Sequence, residues 1–276
     1  MQSNNEPESK RKNETVPEGS SSHSGKPARR RLGVVLAALC AVAVLVFWPR
    51  TERLPDFDGY GDVATMKRAF FAHLAPAIQA ENQRVLEQRE RLLAIADELE
   101  RGDAPGWLDR RWLQRLADEY EVEWDASDPE PALELLQRRV DMVPPALAMV
   151  QGAKESGWGR SRFAVEGNNL FGQWCYTQGC GLVPENRRAG AQHEVAAFDT
   201  LRAAVASYLH NLNTHAAYLP LRLLREQQRE AGEKPRPEAL IEGLTQYSER
   251  REAYVKEIRA MLRANRPIIE EVVASA

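Results

Sequence analysis

The chain has 276 residues, of which 43% are apolar, so it can bury the core of one domain of ordinary size plus appendages. Its 37 Lys and Arg against 40 Asp and Glu give a net charge of −3, which provides no basis for nucleic-acid binding. The charge is unevenly placed, because residues 1–31 hold seven Lys and Arg against four Asp and Glu. Positive charge is therefore concentrated at the amino terminus.

The amino-terminal part is predicted to form a cytoplasmic tail and a membrane anchor. Residues 1–31 are mostly polar and predict a disordered basic tail. Arg29–Arg31 precede a charge-free run, Leu32–Trp48, whose length is at the short end for crossing a bilayer. The positive-inside rule places the tail in the cytoplasm and the rest of the chain across the membrane. A cleaved signal peptide is the alternative, but so long a leader favours an uncleaved single-pass anchor over 32–48.

Three helical segments are predicted after the linker at 49–61. Apolar residues recur at helical spacing over 62–100, and again over 107–120 after a turn that contains glycine and proline. A further helix is predicted to end at Arg139. Residues 62–142 are therefore predicted to form a helical N-terminal region built on a long helix or helical hairpin.

The next segment places a carboxylic acid at the end of an apolar helix. Pro144 and Pro145 suit the first turn of a helix, because the N–H groups that proline lacks would be unpaired there. Apolar residues continue at helical spacing up to Glu155, and Gly157 ends the helix. Apolar surroundings disfavour the charged form of a carboxyl group and raise its pKa. Glu155 is therefore the candidate general acid for cleavage of an acetal.

A polar and aromatic cluster follows Glu155. Two adjacent amides are flanked by glycines and followed by aromatic rings, which is a surface suited to a sugar. The alternative is a turn whose asparagine side chains bond the local backbone, and this is expected of at least one of the pair. The predicted substrate-binding residues are Asn168, Asn169, Phe171 and Trp174.

Cys175 and Cys180 enclose a short loop, and in an exported protein they are expected to form a disulfide. His193 lies nearby, but two cysteines and one distant histidine do not match the spacing of a metal site. No metal and no cofactor are therefore predicted.

The chain reads AKESGWGRSRFAVEGNNLFGQW around Glu155, followed by GCGLVP, HEVAAFDT, NLNTHAAY and GLTQYSERREAYV. In this combination it resembles the Bax-type branch of the bacterial glucosaminidase family over about residues 57–265. The wider hydrolase domain, also found in the flagellar rod protein FlgJ, corresponds to about 140–262. The resemblance implies a mainly α, lysozyme-like catalytic domain with a small β-lobe at 143–265. It also implies cleavage of peptidoglycan glycan strands by an endo-β-N-acetylglucosaminidase.

The resemblance also implies roles for individual residues. Glu155 corresponds to the catalytic glutamate of the family, and Tyr247 to the tyrosine of its Gly-Tyr-Ala-Thr-Asp motif, which reads Thr-Gln-Tyr-Ser here. Glycosidases usually employ a second carboxylate, and Glu194 is preferred for this role over Glu185 and Asp199. If none of them serves, the 2-acetamido group of the substrate would replace it, oriented by Tyr247.

A bacterial hydrolase with this anchor is expected in the inner membrane, held through residues 32–48. Its catalytic domain would then face the periplasm, with peptidoglycan glycan strands as its partner. A muramidase or lytic transglycosylase that uses the same Glu155 is one alternative, and a non-catalytic cell-wall-binding scaffold is another. An amidase ranks last, because no zinc-binding set is visible and the cysteine pair is expected to be structural.

Overall fold

The computed structural model describes residues 53–185, 187 and 190–275. The predicted tail at 1–31 and the predicted anchor at 32–48 lie outside these residues, as does the start of the predicted linker. Within the part of the chain that is described, no helix combines the length and the apolar character needed to cross a membrane.

The described chain is mainly helical, with one small antiparallel sheet and short 3₁₀ segments at Phe57–Gly59, Ala216–Tyr218 and Ile241–Leu244. In chain order the helices are α1 (Val63–Glu100), α2 (Trp107–Glu119), α3 (Glu130–Arg139), α4 (Pro145–Ser156), α5 (Arg162–Gly167), α6 (Leu201–Thr214), α7 (Leu219–Glu230), α8 (Pro237–Leu240) and α9 (Glu252–Ser275), and the strands are β1 (Trp174–Cys175), β2 (Gly181–Leu182) and β3 (Glu194–Ala196). The predicted mainly α architecture with a small β-lobe is confirmed.

Helix α1 packs against four other helices, α3, α4, α6 and α9. Asp62 caps its first turn by accepting a 2.9 Å bond from the N–H of Thr65. Phe70, Leu74 and Ile78 follow one another at four-residue spacing and are almost completely buried, so they form one apolar face of the helix. This helix is the support against which the helix bearing Glu155 is held.

A buried amide joins α1 to the segment that precedes α4. The side chain of Asn82 donates to the carbonyl of Val143 over 2.8 Å and accepts from the N–H of the same residue over 3.0 Å. The core extends from Phe57 to Val272 and includes residues on both sides of the predicted boundary at 142/143. The N-terminal helices therefore pack with the rest of the described chain in one core.

The three strands form a small sheet in the order β1-β3-β2. Trp174 lies opposite Val195, and Gly181 lies opposite Ala196. A Cβ atom at Gly181 would lie 2.0 Å from the carbonyl oxygen of Val195, so only glycine fits at this position. The predicted disulfide between Cys175 and Cys180 is present and closes the loop between β1 and β2.

Candidate active site

Glu155 occupies the last turn of α4, where the helix is held by a packed apolar face. Leu147, Val150 and Ala153 are buried in the core, whereas Glu155 is half-buried. Gly157 has a φ of 59°, the left-handed conformation in which glycine commonly follows a helix. The packed face therefore fixes the backbone while the carboxyl group leaves the core.

The surroundings of Glu155 favour its protonated form. Burial raises the pKa of its carboxyl group above the ordinary value, against the opposing effects of the Tyr254 hydroxyl and of Lys154. Lys154 pairs with Glu257 at 3.0 Å. Oε1 of Glu155 is buried and accepts no hydrogen bond from any described residue. A carboxyl group in this state is suited to giving a proton to a bound ligand.

A glutamine and two tyrosines form a buried polar chain beside Glu155. Gln151 lies four residues before Glu155, on the same face of α4. Its Oε1 accepts a 2.6 Å bond from the hydroxyl group of Tyr208, and its Nε2 donates a 2.9 Å bond to the hydroxyl oxygen of Tyr254. The hydroxyl hydrogen of Tyr254 is thereby left to interact with the carboxyl group of Glu155. These bonds fix the hydroxyl group of Tyr254 beside this acid.

Tyr247 is brought into the same cluster. Its ring stacks on that of Tyr254 with 5.4 Å between the centroids, and its hydroxyl group donates a 2.9 Å bond to the carbonyl of Phe171. Burial raises the pKa of Tyr247 well above 10, and the negative charge of Glu155 acts in the same direction. Tyr247 therefore stays neutral at ordinary pH, and it braces the backbone beside the candidate acid.

A cleft of about 410 Å³ lies next to Glu155. Gly172 forms part of its wall, and a Cβ atom at Gly172 would lie 3.9 Å from Oε2 of Glu155. Glu155 itself is not among the residues that line the cleft, and Gly172 is the part of the wall that lies beside its carboxyl group. The wall also includes five phenylalanine, tryptophan and tyrosine residues: Phe171, Trp174, Tyr176, Tyr218 and Tyr247.

The β-lobe adds exposed aromatic surface to this cleft. Trp174 is 58% exposed, and its ring stacks on His193 with 4.2 Å between the centroids. Tyr176 is 74% exposed and also lines the cleft. Aromatic faces that remain open to solvent can stack on a ligand with an apolar ring face. The cleft thus offers a stacking surface, and Glu155 lies beside its wall at Gly172.

A family model described as mannosyl-glycoprotein endo-beta-N-acetylglucosaminidase matches residues 130–267, half of the chain. The chain belongs to this glucosaminidase family. It is also 30% identical over 220 residues to Protein bax of Escherichia coli (strain K12), which covers 80% of this chain and 77% of that protein. No solved structure gives a significant match. The predicted Bax-type glucosaminidase relationship is confirmed, and it indicates a peptidoglycan-related glycosidase.

The two predicted asparagines of this glucosaminidase-family chain are buried in its turn. Asn168 donates a 2.9 Å bond to the carbonyl of Phe198. Asn169 donates to the carbonyls of Gln173 and Ala196 over 2.9 and 2.8 Å, and its Oδ1 accepts from the backbone. Both side chains therefore bond the backbone of the turn, which is the alternative expected of at least one of them, and direct contact with a sugar stays a prediction.

The remaining predicted binding residues differ in exposure. Phe171 is buried and stacks on Tyr208 at 4.0 Å between centroids, so most of its surface belongs to the core even though it reaches the cleft. Trp174 is exposed and available to a ligand. Of the predicted set, Trp174 is the residue that is both exposed and part of the cleft wall.

Glu194 is engaged in holding the β-lobe. Its carboxylate accepts bonds of 3.1 and 2.9 Å from the N–H groups of Gly179 and Gly181, which lower its pKa. Glu194 does not line the cleft. Both oxygens of Glu194 thus fix the disulfide loop, and its role as the second catalytic carboxylate stays a prediction. Cys175 and Cys180 lie close to it, but both sulfurs are in the disulfide and are not thiolate ligands for a metal.

The other two candidate carboxylates also lie elsewhere. Glu185 is exposed and 3.8 Å from Arg162, and Asp199 is exposed after β3. Neither residue lines the cleft.

Sequence reasoning missed several residues of the site. Gln151 could have been found, because it precedes Glu155 by one helical turn. Tyr208 carried no local signal, whereas Tyr218 and Tyr254 stand in the segments NLNTHAAY and GLTQYSERREAYV but were not singled out. Glu121, which follows α2, also lines the cleft and was not anticipated.

Proposed function

We propose that this protein is a peptidoglycan hydrolase that cuts glycan strands as an endo-β-N-acetylglucosaminidase, with Glu155 as the general acid. The observation that carries the proposal is the half-buried carboxyl group of Glu155, with a raised pKa, beside an aromatic cleft. Membership of the glucosaminidase family supports the same bond type. In this role Glu155 protonates the leaving oxygen as the glycosidic bond breaks, which lowers the barrier by avoiding an alkoxide.

The developing positive charge on the sugar ring needs a second group. None of the three carboxylates considered for this role, Glu194, Glu185 and Asp199, lines the cleft. The 2-acetamido group of the substrate is therefore the proposed partner, as in substrate-assisted glycosidases. The hydroxyl group of Tyr247 donates to the carbonyl of Phe171, and its oxygen keeps acceptor capacity for the N–H of this acetamido group.

The test is product analysis of purified sacculi digested by the full-length protein. An endo-β-N-acetylglucosaminidase leaves N-acetylglucosamine at the new reducing end, which mass spectrometry identifies. Glu155→Gln should reduce turnover by about 10²–10⁴-fold while keeping the fold. Glu166→Gln is the matched control, because Glu166 is exposed on α5 and outside the cleft. Equal turnover by Glu155→Gln and the parent protein would refute the assignment.

A lytic transglycosylase is the second candidate. It is favoured because Glu194, Glu185 and Asp199 do not line the cleft. It would use Glu155 as well, but it would release an anhydro product, and a muramidase would leave a reducing muramic acid. A wall-binding scaffold would bind sacculi and release no product. The same mass spectra therefore separate all four possibilities.

We also propose that residues 32–48 anchor the protein in the inner membrane with residues 49–276 in the periplasm. The support is the charge-free run that directly follows Arg29–Arg31. Carbonate-resistant membrane association, together with protease accessibility of the catalytic domain in spheroplasts, would test this placement. Release of a shortened, soluble chain would favour the cleaved signal peptide.

A further inference from the structure

Glu121 has a backbone conformation that a glycine would adopt more easily. It follows α2 with a φ of 56°, in the left-handed region. The N–H of Val122 bonds the carbonyl of Ala117 over 2.8 Å, and the N–H of Glu121 bonds that of Asp118 over 3.3 Å. These two bonds form a Schellman motif, in which the left-handed position is usually glycine. This protein has a glutamate at that position, although a residue with a Cβ atom is sterically disfavoured there.

The turn that carries Glu121 is held from two sides. Nη1 of Arg139 donates to the carbonyls of Tyr120 and Glu121 over 2.6 and 2.9 Å. His210 of α6 bonds the carbonyl of Glu119 through its Nε2 over 2.7 Å. The backbone of Glu121 is therefore fixed against α3 and α6. A strained conformation that is held by its surroundings is often found at functional sites.

The side chain of Glu121 is exposed and lines the same cleft as Trp174 and Tyr247. Glu119 pairs with Arg84 at 2.8 Å, whereas Glu121 forms no ion pair with any described residue. An ionised carboxylate is an acceptor only, so it needs hydrogen-bond donors from outside the protein. Glu121 also lies before the matched family domain, which begins at residue 130.

We infer that Glu121 is a substrate-binding residue, whose carboxylate accepts hydrogen bonds from the hydroxyl groups of a sugar unit bound in the cleft. The inference rests on the proposed function. A sugar is the favoured occupant because Trp174 and Tyr176 offer exposed aromatic faces to a ring in the same cleft. The helical N-terminal region then supplies part of the binding site, in addition to packing against the catalytic domain.

The test measures binding of N-acetylglucosamine oligomers by calorimetry, with full-length protein carrying Glu155→Gln to prevent turnover. Adding Glu121→Gly should weaken binding about tenfold, the size expected for a charge-assisted hydrogen bond. It should leave Tm unchanged or higher, because glycine relieves the left-handed conformation. Glu121→Gln should give a smaller loss, because it keeps one acceptor oxygen. Glu123→Gln, two residues away and outside the cleft, is the charge-matched control and should not change binding.

Each other result overturns the inference. Unchanged binding in Glu121→Gly excludes a contact with the sugar. A loss of binding together with a lower Tm indicates a structural role. If the parent protein does not bind the oligomers, the proposed function fails as well, which distinguishes that case from failure of the inference alone.

Discussion

Gln151 donates a hydrogen bond from its Nε2 to the hydroxyl oxygen of Tyr254 over 2.9 Å. This bond uses the oxygen of Tyr254 as an acceptor and so leaves its hydrogen for the carboxyl group of Glu155. The amide of Gln151 is itself oriented by Tyr208, which donates to its Oε1. A residue one helical turn before the acid thus orients the hydroxyl group of a tyrosine from the last helix. Four predictions concern this network and the β-lobe.

The first prediction concerns the pH dependence of cleavage. A general acid must be protonated, so activity should fall as pH rises through the raised pKa of Glu155. The Tyr254 hydroxyl lowers that pKa, and Tyr254→Phe should therefore move the basic limb of the kcat/KM profile to higher pH. We expect kcat to fall by only about fivefold, the size of one neutral hydrogen bond.

Tyr120→Phe is the matched control for this change. Tyr120 is also buried and donates a 2.9 Å bond to Oε1 of Gln88, far along the chain from Glu155. Loss of this hydrogen bond should lower the free energy of unfolding without moving the pH profile of kcat/KM. An unshifted basic limb in Tyr254→Phe would show that Tyr254 does not act on the acid.

The second prediction concerns stability. Gln151→Leu leaves the buried hydroxyl groups of Tyr208 and Tyr254 without this partner, and it should lower the free energy of unfolding by about 2–4 kcal/mol. Denaturant titration measures this loss. Gln83→Leu, at an exposed position of α1, should change the value by less than about 0.5 kcal/mol. Tyr208→Phe should lower the free energy of unfolding less in the Gln151→Leu variant than in the parent protein, because its partner is already absent. If the two losses simply add, Gln151 and Tyr208 are not coupled.

The third prediction concerns the stacking surface. Trp174→Ala should raise KM about three- to tenfold with little change in kcat, because an aromatic contact contributes about 0.5–1.5 kcal/mol beyond its buried area. Tm should stay within about 2 °C, since the side chain is 58% exposed. Trp107→Ala is the control, because Trp107 is 64% exposed and does not line the cleft. Equal KM values for the two variants would remove Trp174 from the binding surface.

The fourth prediction separates the roles of Glu194 and Glu155. Hydrogen bonds from Gly179 and Gly181 lower the pKa of Glu194, so the folded protein binds fewer protons at this group than the unfolded chain does. Its contribution to stability is therefore complete above the unfolded carboxyl pKa of about 4.3 and is lost as pH falls further. Glu194→Gln should lower Tm at pH 7, and the difference in Tm between this variant and the parent protein should become smaller below about pH 4.

Activity gives the complementary readout for Glu194. Its replacement by glutamine should reduce kcat by less than about tenfold, because only the position of the β-lobe changes. A catalytic carboxylate would cost at least about a hundredfold. A loss of that size, with Tm unaffected, would restore Glu194 as the second carboxylate.

Features that depend on neighbouring residues in the chain were predicted better from the sequence than features that depend on distant ones. Helices α1 to α4 were predicted with ends close to those observed, because periodicity, prolines and glycines act within a few residues. Asn168, Asn169 and Glu194 were predicted to act on the substrate, but a polar side chain near a site can bond either a ligand or the backbone. Composition does not distinguish these two uses. The structure does, because both asparagines and Glu194 are buried against carbonyl and N–H groups of the turn and the sheet.

The sequence by itself determined that an acid ends an apolar helix, that a cysteine pair closes a small loop, and that the chain resembles glucosaminidases. Only the tertiary structure decided which groups surround that acid. Tyr208 and Tyr254 meet Gln151 from 57 and 103 positions away, and Glu121 reaches the cleft from outside the matched domain. Contacts at such separations depend on how helices pack against one another. The spacing of apolar residues within one segment does not specify that packing.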